Sequence, residues 1–272
     1  MPMISAKDGT QLYVKDWGQG RPVVLIHGWP LTADSWEAQA VGLAEAGYRV
    51  ISYDRRGFGR SEQPWTGYDY DTLSDDLAAV IEGLGLQDAA IIGFSMGGGE
   101  VARYMSRHEG RNVAQAGFLA SIAPGMLKSS DNPDGAPADL FEQMRAGLRE
   151  DRPAFLSDFF EDFFGQDTAE GGVSDPMLDW AWDMAMLASP RATLECVTAF
   201  GTTDFSRDVQ KITVPTLVVH GTGDKIVPIE ATAHRLARMV PSAKLIEYEG
   251  APHALTSTHA DRLLQDLKAF LG

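Results

Sequence analysis

Residues 89–104 read AAIIGFSMGGGEVARY. An apolar, β-branched run stops at Gly93, Ser95 stands between Gly93 and Gly97, and a helical pattern follows. A serine framed by glycines can do no more than cap a helix after a tight turn, and on its own the pattern is weak. Placed between a strand and a helix it reads as a nucleophile elbow, in which the hydroxyl is presented at the top of a sheet. Glycines are needed on both sides because a tight, strained turn leaves no room for side chains beside the exposed hydroxyl.

The fold follows from the runs that surround this turn. Seven short apolar stretches punctuate the chain: QLYVKDW (11–17), PVVLIH (22–27), YRVISY (48–53), AAIIGF (89–94), VAQAGFLA (113–120), PTLVVH (215–220) and AKLIEY (243–248). Most are continuous rather than alternating, as expected of strands covered on both faces. Residues 71–84 and 257–271 carry apolar side chains at helical spacing, and Ser257 or Thr258 stands where the second helix needs an N-cap. The alternation predicts an α/β fold: a mostly parallel central sheet flanked by helices through right-handed crossovers.

The alternation breaks once. From APGMLKSSDNPDGAP (123–137) to KITVP (211–215) the chain turns helical, which divides it into a core of residues 1–123 and 213–272 and a helical cap insertion over 124–212. Eight of the twelve phenylalanines fall in this insertion, with Trp180 and Trp182. Most are expected to pack the insertion onto the core, and some to line an apolar pocket.

Composition narrows the partners. A formal net charge of -15 over 272 residues repels phosphate backbones and anionic membranes, which argues against nucleic acid. The start MPMISAKDGT has no basic segment followed by an apolar one, and no stretch is long enough to span a bilayer, so a cytoplasmic protein is expected. Cys196, the only cysteine, lies in the apolar run LECVTAF and reads as a small core residue. No metal cluster is visible, and no cofactor is expected.

A serine hydroxyl needs a base, and the base needs an acid to orient it. His253, in GAPHAL after the run AKLIEY, is best placed as the base; His259, at the start of the last helix, is the second choice. His108 and His234 fall within helical stretches, and His220 within strand geometry suggests a structural part. For the acid, Asp224 ends VVHGTGD just after a strand. The chain order Ser95, Asp224, His253 is that of a serine hydrolase on such a sheet. The oxyanion needs two backbone N–H groups, one from Met96 after the nucleophile and one from Trp29, in IHGWP at the end of an earlier strand. Pro30 stiffens Trp29.

These motifs, with YDRRGFGRSEQPWTGYDYDTLSDDL, ATLECVTAF, DFSRDV and VPTLVVHGTGDKIVP, resemble the α/β-hydrolase superfamily, and within it the cofactor-free haloperoxidases, or perhydrolases, and related aryl esterases. The resemblance runs nearly end to end and is weakest across the insertion. It implies Ser95, Asp224 and His253 as the triad, Trp29 and Met96 as oxyanion donors, and a substrate pocket touched by Ile122, Phe159, Phe163 and Ile226, with Pro30 beside it. The implied activity is ester hydrolysis through an acyl-enzyme, with hydrogen peroxide able to replace water and give peracids. In that family a proline after the oxyanion residue accompanies peracid formation. RRGFGRS (55–61) lacks a dinucleotide-binding glycine spacing and becomes a structural turn. Dehalogenases and epoxide hydrolases need an aspartate at position 95; lactonase or γ-lactamase activity on the same triad stays open, as do a hydrolase-derived ligand sensor and a homo-oligomer.

Overall fold

A computed structural model describes residues 3–272. Strands β1 (Met3–Ser5), β2 (Gln11–Gly18), β3 (Pro22–Ile26) and β4 (Arg49–Tyr53) open the chain, with helix α1 (Glu37–Glu45) between the last two. Helix α2 (Tyr70–Gly83), β5 (Ala89–Phe94), α3 (Met96–Arg107) and β6 (Val113–Leu119) follow. Then come α4 (Ala138–Phe164), α5 (Asp175–Met186), α6 (Pro190–Thr202) and the short α7 (Ser206–Val209). The chain closes with β7 (Thr216–Gly221), α8 (Ala233–Met239), β8 (Ala243–Tyr248), α9 (Leu255–Thr258) and α10 (Ala260–Leu271).

The eight strands form one sheet in the order β1-β2-β4-β3-β5-β6-β7-β8. β1 and β2 pair antiparallel at one edge; every pairing from β4 to β8 is parallel. β3, β5 and β7 are buried almost throughout, which is why their sequences are unbroken apolar runs. All seven expected strands are present, and the three-residue β1 is additional. No helix among the described residues is long and apolar enough to cross a membrane.

One expectation needs correction at a helix start, that of the last helix, whereas the helix expected around 71–84 forms. The second helix begins at Tyr70, capped by the Asp69 side chain, which accepts the Thr72 N–H at 3.0 Å. Ser257 and Thr258 do not cap the last helix: they belong to the short α9, and the Thr258 hydroxyl donates to the Ala254 carbonyl instead. The chain bends at His259 before α10 begins, so one apolar periodicity spans two helices.

Between β6 and β7 lie α4 to α7. Helix α4 is broken at Asp151, whose backbone leaves helical values (φ -150°, ψ 88°) and whose carboxylate accepts the Ala154 N–H at 3.0 Å. Pro153 sits in the first turn of the second arm, where its missing N–H has no helical partner to lose. The two arms carry Leu140, Phe141 and Met144, and then Phe159 and Phe163, toward the ends of β3, β5 and β7, with Phe160 and Phe164 packed beside them.

Candidate active site

Ser95 occupies the turn between β5 and α3 with φ 54° and ψ -119°, a left-handed backbone that a side chain adopts only under constraint. Close packing supplies the constraint. A Cβ on Gly97 would stand 2.5 Å from the Ile26 carbonyl oxygen, and one on Gly93 would stand 2.3 Å from the Gly97 carbonyl oxygen. The loop after β3 presses on the turn from the other side, where a Cβ on Gly28 would lie 3.0 Å from the Ser95 Cβ. Glycine at 28, 93 and 97 is therefore what lets two loops meet at one hydroxyl.

The structure brings Ser95, His253 and Asp224 together. The Ser95 Oγ lies 2.9 Å from His253 Nε2, and His253 Nδ1 donates to Asp224 Oδ2 at 2.6 Å. Asp224 Oδ1 accepts the N–H groups of Ile226 and Val227 at 2.9 and 2.8 Å. Burial opposes ionisation of Asp224, but the charge of His253 and the hydrogen bonds from His220 and His253 outweigh it and hold the carboxyl well below the usual carboxylate range. The imidazole of His253 is fully buried between the rings of Phe94 and Phe163, at 5.1 and 5.0 Å.

His259, His108 and His234 stand apart from this chain of hydrogen bonds, whereas His220 reaches Asp224 Oδ2 at 3.2 Å. His259 contacts the Thr258 hydroxyl and the Tyr248 ring; His108 and His234 meet Asp75 and Glu247. Cys196 is buried, and burial pushes its thiol up to about 12, so it is no nucleophile at neutral pH.

Met96 is the first residue of α3, where an N–H has no intrahelical acceptor, and the Trp29 N–H meets no acceptor among the described residues. Trp29 is anchored through its indole, which donates to the Thr193 carbonyl at 3.2 Å. A hydrogen bond from the Leu31 N–H to the Gly28 carbonyl at 3.0 Å closes the turn that contains Trp29 and Pro30, joined by a cis peptide bond.

Beside Ser95 lies a narrow cavity of about 40 Å³, lined by Trp29, Ile122, Met126, Leu140, Phe141, Met144, Phe159, Phe200, Ile226 and Val227. The serine is its only hydrophilic side chain. Of the residues the resemblance implies for a pocket, Ile122, Phe159 and Ile226 line this cavity. Phe163 and Pro30 do not line it. Phe163 is one helical turn beyond Phe159 on the same face of α4, which carries it past the cavity to His253. Pro30 is enclosed in the turn closed by Leu31.

Sequence reasoning missed what holds the loop after β3. Fully buried Arg55 donates through Nε to Glu100 Oε1 and through an NH2 group to the His27 carbonyl, both at 2.6 Å. The Arg55 N–H donates to His27 Nε2 at 2.9 Å, which leaves the proton on His27 Nδ1, and that proton goes to the Gly28 carbonyl at 2.8 Å. Tyr53 completes the group with a 2.7 Å hydrogen bond to Glu100. Burial, reinforced by the Arg55 charge, drives the His27 pKa well below its ordinary value. The only sequence signal was the pair of arginines in RRGFGRS, charged residues beside an apolar strand.

Comparison with known proteins agrees with this fold. The model of the α/β hydrolase fold family matches residues 21–260. Over all of both chains, the sequence is 44% identical to a non-heme chloroperoxidase of Kitasatospora aureofaciens. It is 40% identical to a bifunctional esterase/perhydrolase of Acinetobacter calcoaceticus over 100% of this chain and 99% of that one. The crystal structure of a bromoperoxidase from Bacillus anthracis superposes with a TM-score of 0.95 at 44% identity, covering 99% of each chain.

Proposed function

The chain belongs to the α/β-hydrolase fold family, and from the site it builds we propose a serine esterase that works through an acyl-enzyme and passes the acyl group to water or to hydrogen peroxide. The observation that carries this reading is the continuous path from Ser95 Oγ through His253 to Asp224, open to an apolar cavity.

In this mechanism Ser95 Oγ attacks the carbonyl carbon of an ester while His253 Nε2 takes the hydroxyl proton. The Asp224 carboxylate fixes the tautomer of His253 and stabilises the imidazolium as it forms. Negative charge develops on the carbonyl oxygen, where the N–H groups of Trp29 and Met96 and the N-terminus of α3 meet it. The tetrahedral adduct then collapses, the alcohol leaves with the proton from His253, and the acyl group stays on Ser95. A carboxylic acid enters by the same steps and loses water.

Water or hydrogen peroxide next gives a proton to His253 and attacks the acyl carbon, releasing an acid or a peracid and restoring the serine. Peracid transfers oxygen to halide away from the protein, which accounts for a haloperoxidase activity of the kind named in the relatives without any metal step. Pro30 sets the Trp29 carbonyl to accept a hydrogen bond from peroxide. The helical segment 124–212 acts as the cap that walls the acyl cavity.

The test is a paired assay of wild type and Ser95→Ala: hydrolysis of p-nitrophenyl acetate, and peracetic acid formation from acetate and hydrogen peroxide. Both activities are expected in the wild type and neither in the variant. Activity that survives the substitution overturns the acyl-enzyme.

A further inference from the structure

His220, on the last turn of β7 before the Asp224 loop, is fully buried. Its Nε2 lies 2.8 Å from the Val227 carbonyl oxygen and 3.2 Å from Asp224 Oδ2. A carbonyl can only accept, so Nε2 bears the proton and directs it to the Val227 oxygen, with Asp224 Oδ2 at the edge of its reach and under its influence. Nδ1 is left as a lone pair with no hydrogen-bond partner among the described residues. An unsatisfied buried acceptor is destabilising, and an apolar side chain on this strand would not carry it. Folding alone therefore does not account for a histidine here.

What the imidazole adds is a fourth N–H on one carboxylate. Oδ1 is filled by the Ile226 and Val227 amides, and Oδ2 faces the two imidazoles. His253 and His220 are the ionisable groups that act on Asp224. Neighbouring Lys225 points its charge to Asp162 and Asp167 instead.

We propose that His220 is a positioning residue for the acid–base pair: its Nε2–H locks the rotation of the Asp224 carboxylate so that Oδ2 faces His253, and the same proton ties down the 224–227 turn. This rests on Ser95, Asp224 and His253 acting as a triad. Without that N–H the carboxylate turns, the imidazolium of His253 loses part of its stabilisation, and the base weakens.

The experiment compares wild type, His220→Leu and His220→Gln by kcat and KM for p-nitrophenyl acetate across pH, with thermal unfolding in parallel. For His220→Leu, kcat is expected to fall about tenfold or more with KM within about twofold. The acidic limb of kcat/KM is expected to move to lower pH, and His220→Gln, which keeps an amide N–H, to recover most of both. A limb that stays in place or moves up, whatever happens to thermal stability, overturns the proposal, because a merely structural histidine would change only the amount of folded enzyme.

A second arm does not depend on turnover. The low-field proton resonance of His253 Nδ1–H, assigned by its loss in His253→Ala, should move upfield in His220→Leu and return in His220→Gln; an unmoved resonance contradicts the proposal even if the triad reading holds. Failure of that reading would show separately, as hydrolysis that persists in Ser95→Ala.

Discussion

The ring of Phe163 meets the imidazole of His253 at 5.0 Å and 70°, and the Phe163 carbonyl accepts the Ala254 N–H at 3.0 Å. The second arm of α4 thus holds the base loop through both side chain and backbone. Phe159, one turn earlier, packs against Trp29 at 5.2 Å, so a single helix face touches both Trp29 and His253. Phe163→Leu should cut kcat about tenfold and cost roughly 1–2 kcal/mol of stability. Phe160→Leu is the control: it removes a ring from the same cluster that meets Phe159, Phe163 and Phe164 rather than His253. It should lose similar stability, read by thermal unfolding, with kcat within about twofold of wild type.

Gly97→Ala tests the close approach of the two loops. The new Cβ would meet the Ile26 carbonyl at 2.5 Å and the His27 carbonyl at 3.1 Å, both backbone atoms that cannot swing aside. A destabilisation of about 1–3 kcal/mol is expected. Activity should fall by roughly 100-fold, because a shift near 1 Å between Ser95 and the oxyanion donors is that costly. Urea unfolding and ester hydrolysis on the same preparation check both.

Acidification should act on the fold through His27. Its folded-state pKa lies well below the ordinary 6.5, so the unfolded chain binds the proton first. The stabilisation is complete above about pH 6.5 and shrinks as pH falls from there toward the folded-state value, by up to about 1.4 kcal/mol per pH unit. Between pH 7 and 5.5 the wild type should lose more stability than His27→Gln by about that slope, as measured by urea unfolding at both pH values.

Pro30→Leu addresses acceptor choice. If the proline sets the Trp29 carbonyl for peroxide, the ratio of peracetic acid formation to p-nitrophenyl acetate hydrolysis should fall severalfold. An unchanged ratio would make Pro30 a loop residue with no part in selecting peroxide.

Much of this architecture was legible because the signals are local. Buried parallel strands produce continuous apolar runs, and a tight elbow demands glycines at fixed offsets from Ser95, so the strands of the sheet and the serine could be read directly. Asp224 and His253 could be placed near Ser95 because each follows a strand in a short polar loop. β1 escaped notice because three residues carry no period. The bend at His259 was hidden by an apolar pattern that runs on through it. Phe159 and Phe163 share one helix face, and only the position of α4 along the sheet separates a cavity wall from a clamp on the base. The Arg55, Glu100 and His27 cluster joins residues far apart in sequence, and pairing of that kind leaves no local trace.

The most direct measurement of the central claim is rapid-quench peptide mapping after mixing with p-nitrophenyl acetate. An acetyl group should appear on Ser95 within the first turnover, be absent from Ser95→Ala, and be discharged faster when hydrogen peroxide is added, with peracetic acid as the product. Hydrolysis that proceeds at the wild-type rate with no acetyl group on Ser95 would contradict the account.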